Sequence, residues 1–245
     1  MAEPAKRSAK KAEAPDAPLA ALIKAAPKLA SPKEARARID EWLGEIAGTR
    51  AGKALKALLG ADAKSRSAKL AGAIAVIAEG SPYLFDLIRA DPERILRVLE
   101  ADPEAHFATL IATVTCAGLA ETDEAAMMRA LRRSKAEAAL LIALADIGGV
   151  WLVERVTRAL TQFADTAVGA AVRFLLRTVA EQGKLTPRDP AAPERATGYV
   201  VLAMGKMGAH ELNYSSDIDL IVLYDENAQA LGKGAEPAEI GRAHV

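Results

Sequence analysis

Apolar residues recur at helical spacing over most of the chain before residue 183. Leu55, Leu58 and Leu59 share one face of a helical turn, and the same spacing continues in later segments. Prolines that follow serine or aspartate divide this pattern into separate helices, since proline suits the first helical position. These pairs are Ser31-Pro32, Ser81-Pro82, Asp91-Pro92 and Asp102-Pro103. The pattern predicts a helical region over residues 19–183.

The pattern changes after this region. Residues 184–198 contain three prolines and few apolar residues, which predicts a linker. The apolar runs Tyr199–Met204 and Ile218–Tyr224 then have the composition of two β-strands. Residues 1–18 lack apolar periodicity and are predicted to form a disordered tail. The expected fold is α+β and mostly α, with a helical region followed by the start of a sheet.

Composition narrows the class of protein without indicating a partner. Apolar residues make up 51% of the chain and aromatic residues 4%, so alanine and aliphatic side chains supply a core of close-packed helices. The 32 basic and 32 acidic residues cancel, which leaves no net charge to attract nucleic acid or an anionic membrane. The single cysteine, Cys116, cannot form an internal disulfide. No apolar run is long enough to cross a bilayer. We therefore expect a cytoplasmic protein that binds neither nucleic acid nor membrane.

Candidate chemistry lies at the start of the second apolar run. Asp217 and Asp219 are two residues apart there, and the period of a strand directs both carboxylates to one face. Such carboxylates repel each other unless a cation lies between them, and Mg²⁺ binds carboxylate oxygens together with phosphate and water. Acidic pairs at strand edges are also common without any ligand. The pair alone is therefore a weak indication of a metal site.

The turn before this pair strengthens the metal hypothesis. Gly205 and Gly208 follow the first strand, where free backbone amides can hold a phosphate group. Lys206 between them can add a positive charge against the phosphate oxygens. Ser215 and Ser216 can either donate to a phosphate oxygen or form the turn itself.

The order of strand, glycine turn and D-x-D strand resembles the core of the nucleotidyltransferases that include DNA polymerase β. The longer string M-G-K-x-G-x-x-E-L-N-x-S-S-D-I-D-L, at residues 204–220, is similar to the signature of the bifunctional glutamine synthetase adenylyltransferase/adenylyl-removing family. Residues 81–93 and 131–149 resemble helical segments of that family, so the resemblance covers roughly residues 70–225. The residues that depart from the expected patterns are Lys206, His210 and Leu141.

The resemblance implies a function and assigns roles. Members have two nucleotidyltransferase halves: the first phosphorolyses AMP-tyrosine on glutamine synthetase to ADP, and the second attaches AMP from ATP. A helical region followed by one D-x-D block is similar to the removing half. By this resemblance, Asp217 and Asp219 are catalytic and hold Mg²⁺. The residues implied in nucleotide binding are Gly205, Lys206, Gly208, Ser215 and Ser216. The implied partners are glutamine synthetase, the PII signalling protein, ATP or ADP, and phosphate.

The resemblance also implies that further sequence completes the enzyme. Polymerase-β-like sites use a third carboxylate from a later strand, and no segment like that of the family follows Asp219 here. Residues 199–245 are therefore expected to form an incomplete nucleotidyltransferase core, truncated from a mixed sheet and inactive alone. Residues 240–245 resemble the translation of a sequencing-adapter oligonucleotide.

Two other functions fit the same residues. The uridylyltransferase that modifies PII also has a glycine-rich turn and an S-D-x-D-L strand, although its turn usually reads G-G-x-G-R-x-E-L. The second alternative is a non-catalytic helical scaffold that binds glutamine synthetase and keeps the D-x-D pair as a remnant.

Overall fold

The computed structural model describes residues 17–60 and 66–225, so most of the predicted tail and everything after residue 225 lie outside the described residues. The first helices are α1 (Leu19–Leu22), α2 (Pro32–Glu45), α3 (Arg50–Leu59), α4 (Arg66–Gly80), α5 (Pro82–Ala90) and α6 (Pro92–Glu100). They continue with α7 (Pro103–Ala120), α8 (Glu124–Ile147) and α9 (Val153–Glu181). The strands β1 (Tyr199–Ala203) and β2 (Leu220–Tyr224) flank the short helix α10 (Gly205–Gly208). The mostly helical α+β composition is confirmed, while the mixed sheet of a nucleotidyltransferase stays a prediction.

Four helix starts follow the caps that the sequence indicates. In α5, α6, α7 and α8 the residue before the helix accepts a hydrogen bond from a first-turn N–H. The capping residues are Ser81, Asp91, Asp102 and Asp123. Ser31 differs, because α2 begins at Pro32 as predicted but the serine side chain makes no capping hydrogen bond. The backbone N–H groups of Ala30 and Ser31 donate instead to the carboxylate of Glu79 in α4. The start of α2 is thus fixed by a neighbouring helix.

Helix α8 forms the centre of the helical region. Residues 140–145 are all buried, so this part of the helix is enclosed on every side. The helices packed against it are α4, α5, α6, α7 and α9. The predicted core residues Trp42 and Trp151 are 1% and 7% exposed, which confirms their burial. Among the described residues no single helix is long and apolar enough to cross a membrane, although the bent pair α4–α5 passes that test when its two members are combined.

A polar cluster joins α8 to two of these neighbours. The carboxylate of Glu137 in α8 lies 2.9 Å from Nε2 of His106 in α7 and accepts a 2.7 Å hydrogen bond from Arg97 in α6. Burial alone would raise the pKa of Glu137, but the hydrogen bonds from His106 and Arg97 outweigh it and lower that pKa to about 2. The ionised carboxylate therefore stabilises the packing of three helices.

The two strands pair in antiparallel orientation after a connection that packs on α9. Tyr199 lies opposite Tyr224, and Ala203 opposite Leu220. Residues 184–198 contain no helix or strand of the described fold, and Glu194 in this segment forms a 2.5 Å ion pair with Arg173 of α9. All five side chains of β2 are exposed within the described part of the chain.

Candidate functional site

The glycine turn between the strands needs both of its glycines. Gly205 has φ of +54°, a left-handed conformation that glycine adopts without a steric penalty. A Cβ on Gly208 would lie 2.4 Å from the carbonyl oxygen of Ala203, closer than any side chain can approach. Met207 is buried and anchors the turn against the protein. Lys206 belongs to the same turn, and its side chain is exposed.

Asp219 lies directly beside this turn. Its carbonyl oxygen accepts a 2.9 Å hydrogen bond from the N–H of Met204, which extends the strand pairing one residue before β2 begins. Its carboxylate faces the turn, since a Cβ on Gly205 would lie 3.7 Å from Oδ2 of Asp219. The fold therefore places one of the two predicted carboxylates against the predicted phosphate-binding turn.

Asp217 belongs to a loop rather than to the strand. The two serines before it form a tight turn around Asn213, whose Oδ1 accepts hydrogen bonds from the N–H of Ser215 at 3.1 Å and the hydroxyl of Ser216 at 2.7 Å. Both serines thus take part in the turn, while their role in nucleotide binding stays a prediction. Asp217 and Asp219 are both exposed, and within the described part of the chain neither carboxylate forms an ion pair.

A large cleft adjoins this loop. It has a volume of about 900 Å³ and lies between α8, α9, the start of α5 and residues 212–218. Its walls are largely apolar, and Asp217, Asp146 and Lys135 are among the charged residues that line it. A mostly apolar cleft with a few polar groups is typical of sites that bind small molecules.

Two contacts that the sequence did not indicate attach the loop to the helices. The hydroxyl of Tyr214 donates a 3.0 Å hydrogen bond to Oδ2 of Asp146 in α8. The N–H of Leu212 donates a 3.3 Å hydrogen bond to Oγ1 of Thr161 in α9, a fully buried residue. Burial and the adjacent Asp146 carboxylate raise the pKa of the Tyr214 phenol above its usual range. The partners in each of these two bonds are far apart in sequence, so no local pattern could have identified Tyr214, Asp146 or Thr161.

The chemistry of the two carboxylates fits a magnesium ion. Oxygen ligands from one or two carboxylates, completed by phosphate oxygens and water, are what Mg²⁺ binds. Within residues 17–60 and 66–225, no group of three or more His, Cys, Asp or Glu side chains is placed to share a metal ion. The described residues therefore offer two carboxylates and leave the other ligand positions to substrate, solvent or another part of the protein.

The glycine turn, Lys206 and the acidic pair are the residues from which the sequence predicts a nucleotidyltransferase. The family model for glutamate-ammonia ligase adenylyltransferase matches residues 71–240. The chain therefore belongs to that family, and the resemblance found in its sequence is confirmed.

Curated relatives agree with this assignment. The bifunctional glutamine synthetase adenylyltransferase/adenylyl-removing enzyme of Rhodopseudomonas palustris strain BisB5 is 51% identical over 94% of this chain and 23% of its own length. The enzyme of the same name from Bradyrhizobium diazoefficiens is 54% identical over 89% of this chain and 21% of its own length. That from Xanthobacter autotrophicus is 54% identical over 66% of the chain and 16% of its own length. The chain thus spans less than a quarter of these relatives.

Proposed function

We propose that this chain is the adenylyl-removing part of an enzyme that reversibly adenylylates glutamine synthetase and so regulates nitrogen assimilation. The observation that carries the proposal is the Asp219 carboxylate beside the Gly205 turn, with Asp217 in the adjoining loop. The name of the relatives includes both the transferase and the removing activity. The alternative of a PII uridylyltransferase has no comparable support, because the matching family is that of the adenylyltransferase.

In the proposed reaction, an oxygen of inorganic phosphate attacks the phosphorus of AMP-tyrosine on glutamine synthetase. The bond to the tyrosine oxygen breaks as the new bond forms, so the products are ADP and tyrosine, whose oxygen takes up a proton. Asp217 and Asp219 would hold Mg²⁺, which neutralises charge on the group in transfer and orients the attacking and leaving oxygens. Gly205 and Gly208 let the backbone approach the nucleotide phosphates, and Lys206 places a positive charge near their oxygens.

The complete protein supplies the rest of this reaction. We infer that a third carboxylate outside the described residues joins Asp217 and Asp219, as in polymerase-β-like sites. Glutamine synthetase, ATP or ADP, and phosphate are the proposed partners, and PII is the proposed regulator. The cytoplasm is the proposed compartment, in keeping with a chain whose one cysteine cannot form an internal disulfide.

The test is to replace each carboxylate in the complete protein. Asp217→Asn and Asp219→Asn should each abolish the release of ADP from adenylylated glutamine synthetase and phosphate. Thermal stability should persist, because both side chains are exposed and neither substitution opens a cavity. Asp165→Asn, at an exposed carboxylate of α9, is the matched control and should remain active. Substantial activity in either site variant would exclude the assigned roles.

The choice of nucleotide and the scaffold alternative are tested separately. ADP and ATP with Mg²⁺ should raise the melting temperature of the complete protein, and UTP should not. A non-catalytic scaffold would instead bind glutamine synthetase without any ADP release. Protection by UTP alone would favour the uridylyltransferase alternative.

A further inference from the structure

The two carboxylates of the site have different structural supports. Asp219 is held by the strand pair, because its carbonyl accepts the N–H of Met204. Asp217 lies in the loop before β2, and no hydrogen bond of the strand pairing reaches it among the described residues. The distance between the two carboxylates therefore depends on how the loop is held.

The helical region holds that loop. Tyr214 is separated from Asp146 by 68 residues in sequence, and its hydroxyl donates to Oδ2 of that aspartate at 3.0 Å. Asp146 is next to last in α8 and directly follows the buried residues 140–145 of that helix. The contact thus connects the loop to a rigid element of the core rather than to another loop.

The connection from Tyr214 to Asp217 is short and internally bonded. Only the two serines lie between these residues, and Asn213 binds both of them within the turn. The N–H of Ser216 also donates to the carbonyl of Asn213 at 3.3 Å. A displacement of the Tyr214 ring would therefore be transmitted to Asp217.

We propose that Tyr214 and Asp146 are a positioning pair, which sets Asp217 at the distance from Asp219 that a shared Mg²⁺ requires. This inference rests on the proposed function, in which the two carboxylates hold the metal. Groups that orient metal ligands change metal affinity or activity about 10–100-fold when they are removed. The pair also couples the helical region to the site, because any shift of α8 relative to the sheet would move one carboxylate and leave the other in place.

The test uses Tyr214→Phe in the complete protein, which removes one hydroxyl and keeps the ring. Calorimetric titration with Mg²⁺ in the presence of ADP should give a dissociation constant about tenfold higher than that of the unsubstituted protein. The kcat for phosphorolysis should fall, while the KM for adenylylated glutamine synthetase should change less than about twofold, since positioning affects the reacting geometry rather than protein docking.

Matched variants separate positioning from a general loss of structure. Tyr83→Phe removes the hydroxyl of an exposed tyrosine that lines the same cleft and makes no hydrogen bond through it among the described residues, so Mg²⁺ affinity should not change. Asp146→Asn keeps an oxygen acceptor for Tyr214 and should retain more Mg²⁺ affinity than Asp146→Ala. Melting temperatures of all variants are compared to exclude unfolding as the cause.

Two outcomes overturn the inference. One is a Tyr214→Phe variant whose Mg²⁺ affinity and kcat equal those of Tyr83→Phe. The other is an Asp146→Asn variant as impaired as Asp146→Ala, since that result would remove the acceptor role. Activity that survives Asp217→Asn or Asp219→Asn would contradict the proposed function itself, so the two failures are distinguishable.

Discussion

The carboxylate of Asp219 lies against the α-carbon of Gly205, so that a Cβ at the glycine would be 3.7 Å from Oδ2. This distance is an ordinary van der Waals contact, and the aspartate need not move to accept a methyl group. The obstacle to a side chain at Gly205 is its φ of +54° instead. The backbone conformation of the turn therefore requires glycine at position 205, and this turn lies in contact with the Asp219 carboxylate.

Gly205→Ala should weaken the turn through backbone strain of about 1–2 kcal/mol. The N–H of Met204, which donates to the carbonyl of Asp219, should then exchange with solvent at least about fivefold faster. Hydrogen exchange of the 245-residue chain measures this directly. Gly44→Ala is the control, because a Cβ added at Gly44 would meet no atom within 4 Å and exchange at Met204 should not change. An unchanged Met204 rate in Gly205→Ala would contradict the strain argument.

Lys206→Ala should weaken nucleotide binding without affecting the fold. The side chain is exposed on the glycine turn, so its loss removes a point charge and no packing. Titration of the complete protein with ADP and Mg²⁺ should show roughly tenfold lower affinity, since a hydrogen bond to a charged group contributes about 1.5–3 kcal/mol. Lys33→Ala, at an exposed lysine of α2, controls for the loss of one positive charge. Equal ADP affinity in the two variants would exclude the phosphate-binding role.

Glu137 should make stability depend on pH. Its pKa of about 2 in the folded protein lies below its ordinary value of 4.5, so its stabilisation is complete above about pH 4.5 and is lost as the pH falls toward 2. Glu137→Gln should lower the free energy of unfolding by about 2 kcal/mol at pH 7 and by less at pH 3. Urea unfolding of the 245-residue chain at both pH values measures the difference.

The control for Glu137 is a carboxylate in an exposed ion pair. Glu181 lies 3.7 Å from Arg177 and its side chain is 65% exposed, so Glu181→Gln should cost less than about 1 kcal/mol at either pH. If Glu137→Gln lowered stability equally at pH 3 and pH 7, the ionised carboxylate would not be the stabilising species.

Local features of this fold could be predicted because their causes are local. An aspartate before a proline sets both the cap and the first helical position, and α6 and α7 begin where Asp91 and Asp102 indicate. The order of β1, glycine turn and β2 could likewise be predicted, because an apolar strand and a glycine turn are each indicated by a few consecutive residues.

Contacts between distant segments could not be predicted in this way. Ser31 has the residue type of a cap, yet its N–H donates to Glu79, a partner 48 residues away. The bond between Tyr214 and Asp146 spans 68 residues and involves two side chains that each resemble surface residues in sequence. Helix periodicity identifies which face is buried, but it does not specify which loop packs on that face.

Thr161 is the buried residue of α9 to which the loop before β2 is attached. Its hydroxyl donates to the carbonyl of Thr157 at 2.9 Å and accepts the N–H of Leu212 at 3.3 Å. Thr161→Val keeps the shape of the side chain but leaves the N–H of Leu212 without its acceptor, at a cost of about 1–3 kcal/mol. Hydrogen exchange at Leu212 should therefore accelerate about fivefold or more in the 245-residue chain. Thr166→Val is the control, because among the described residues that hydroxyl bonds only to Gln162 within α9, so Leu212 should be unaffected. Equal exchange rates at Leu212 in the two variants would show that Thr161 does not hold the loop.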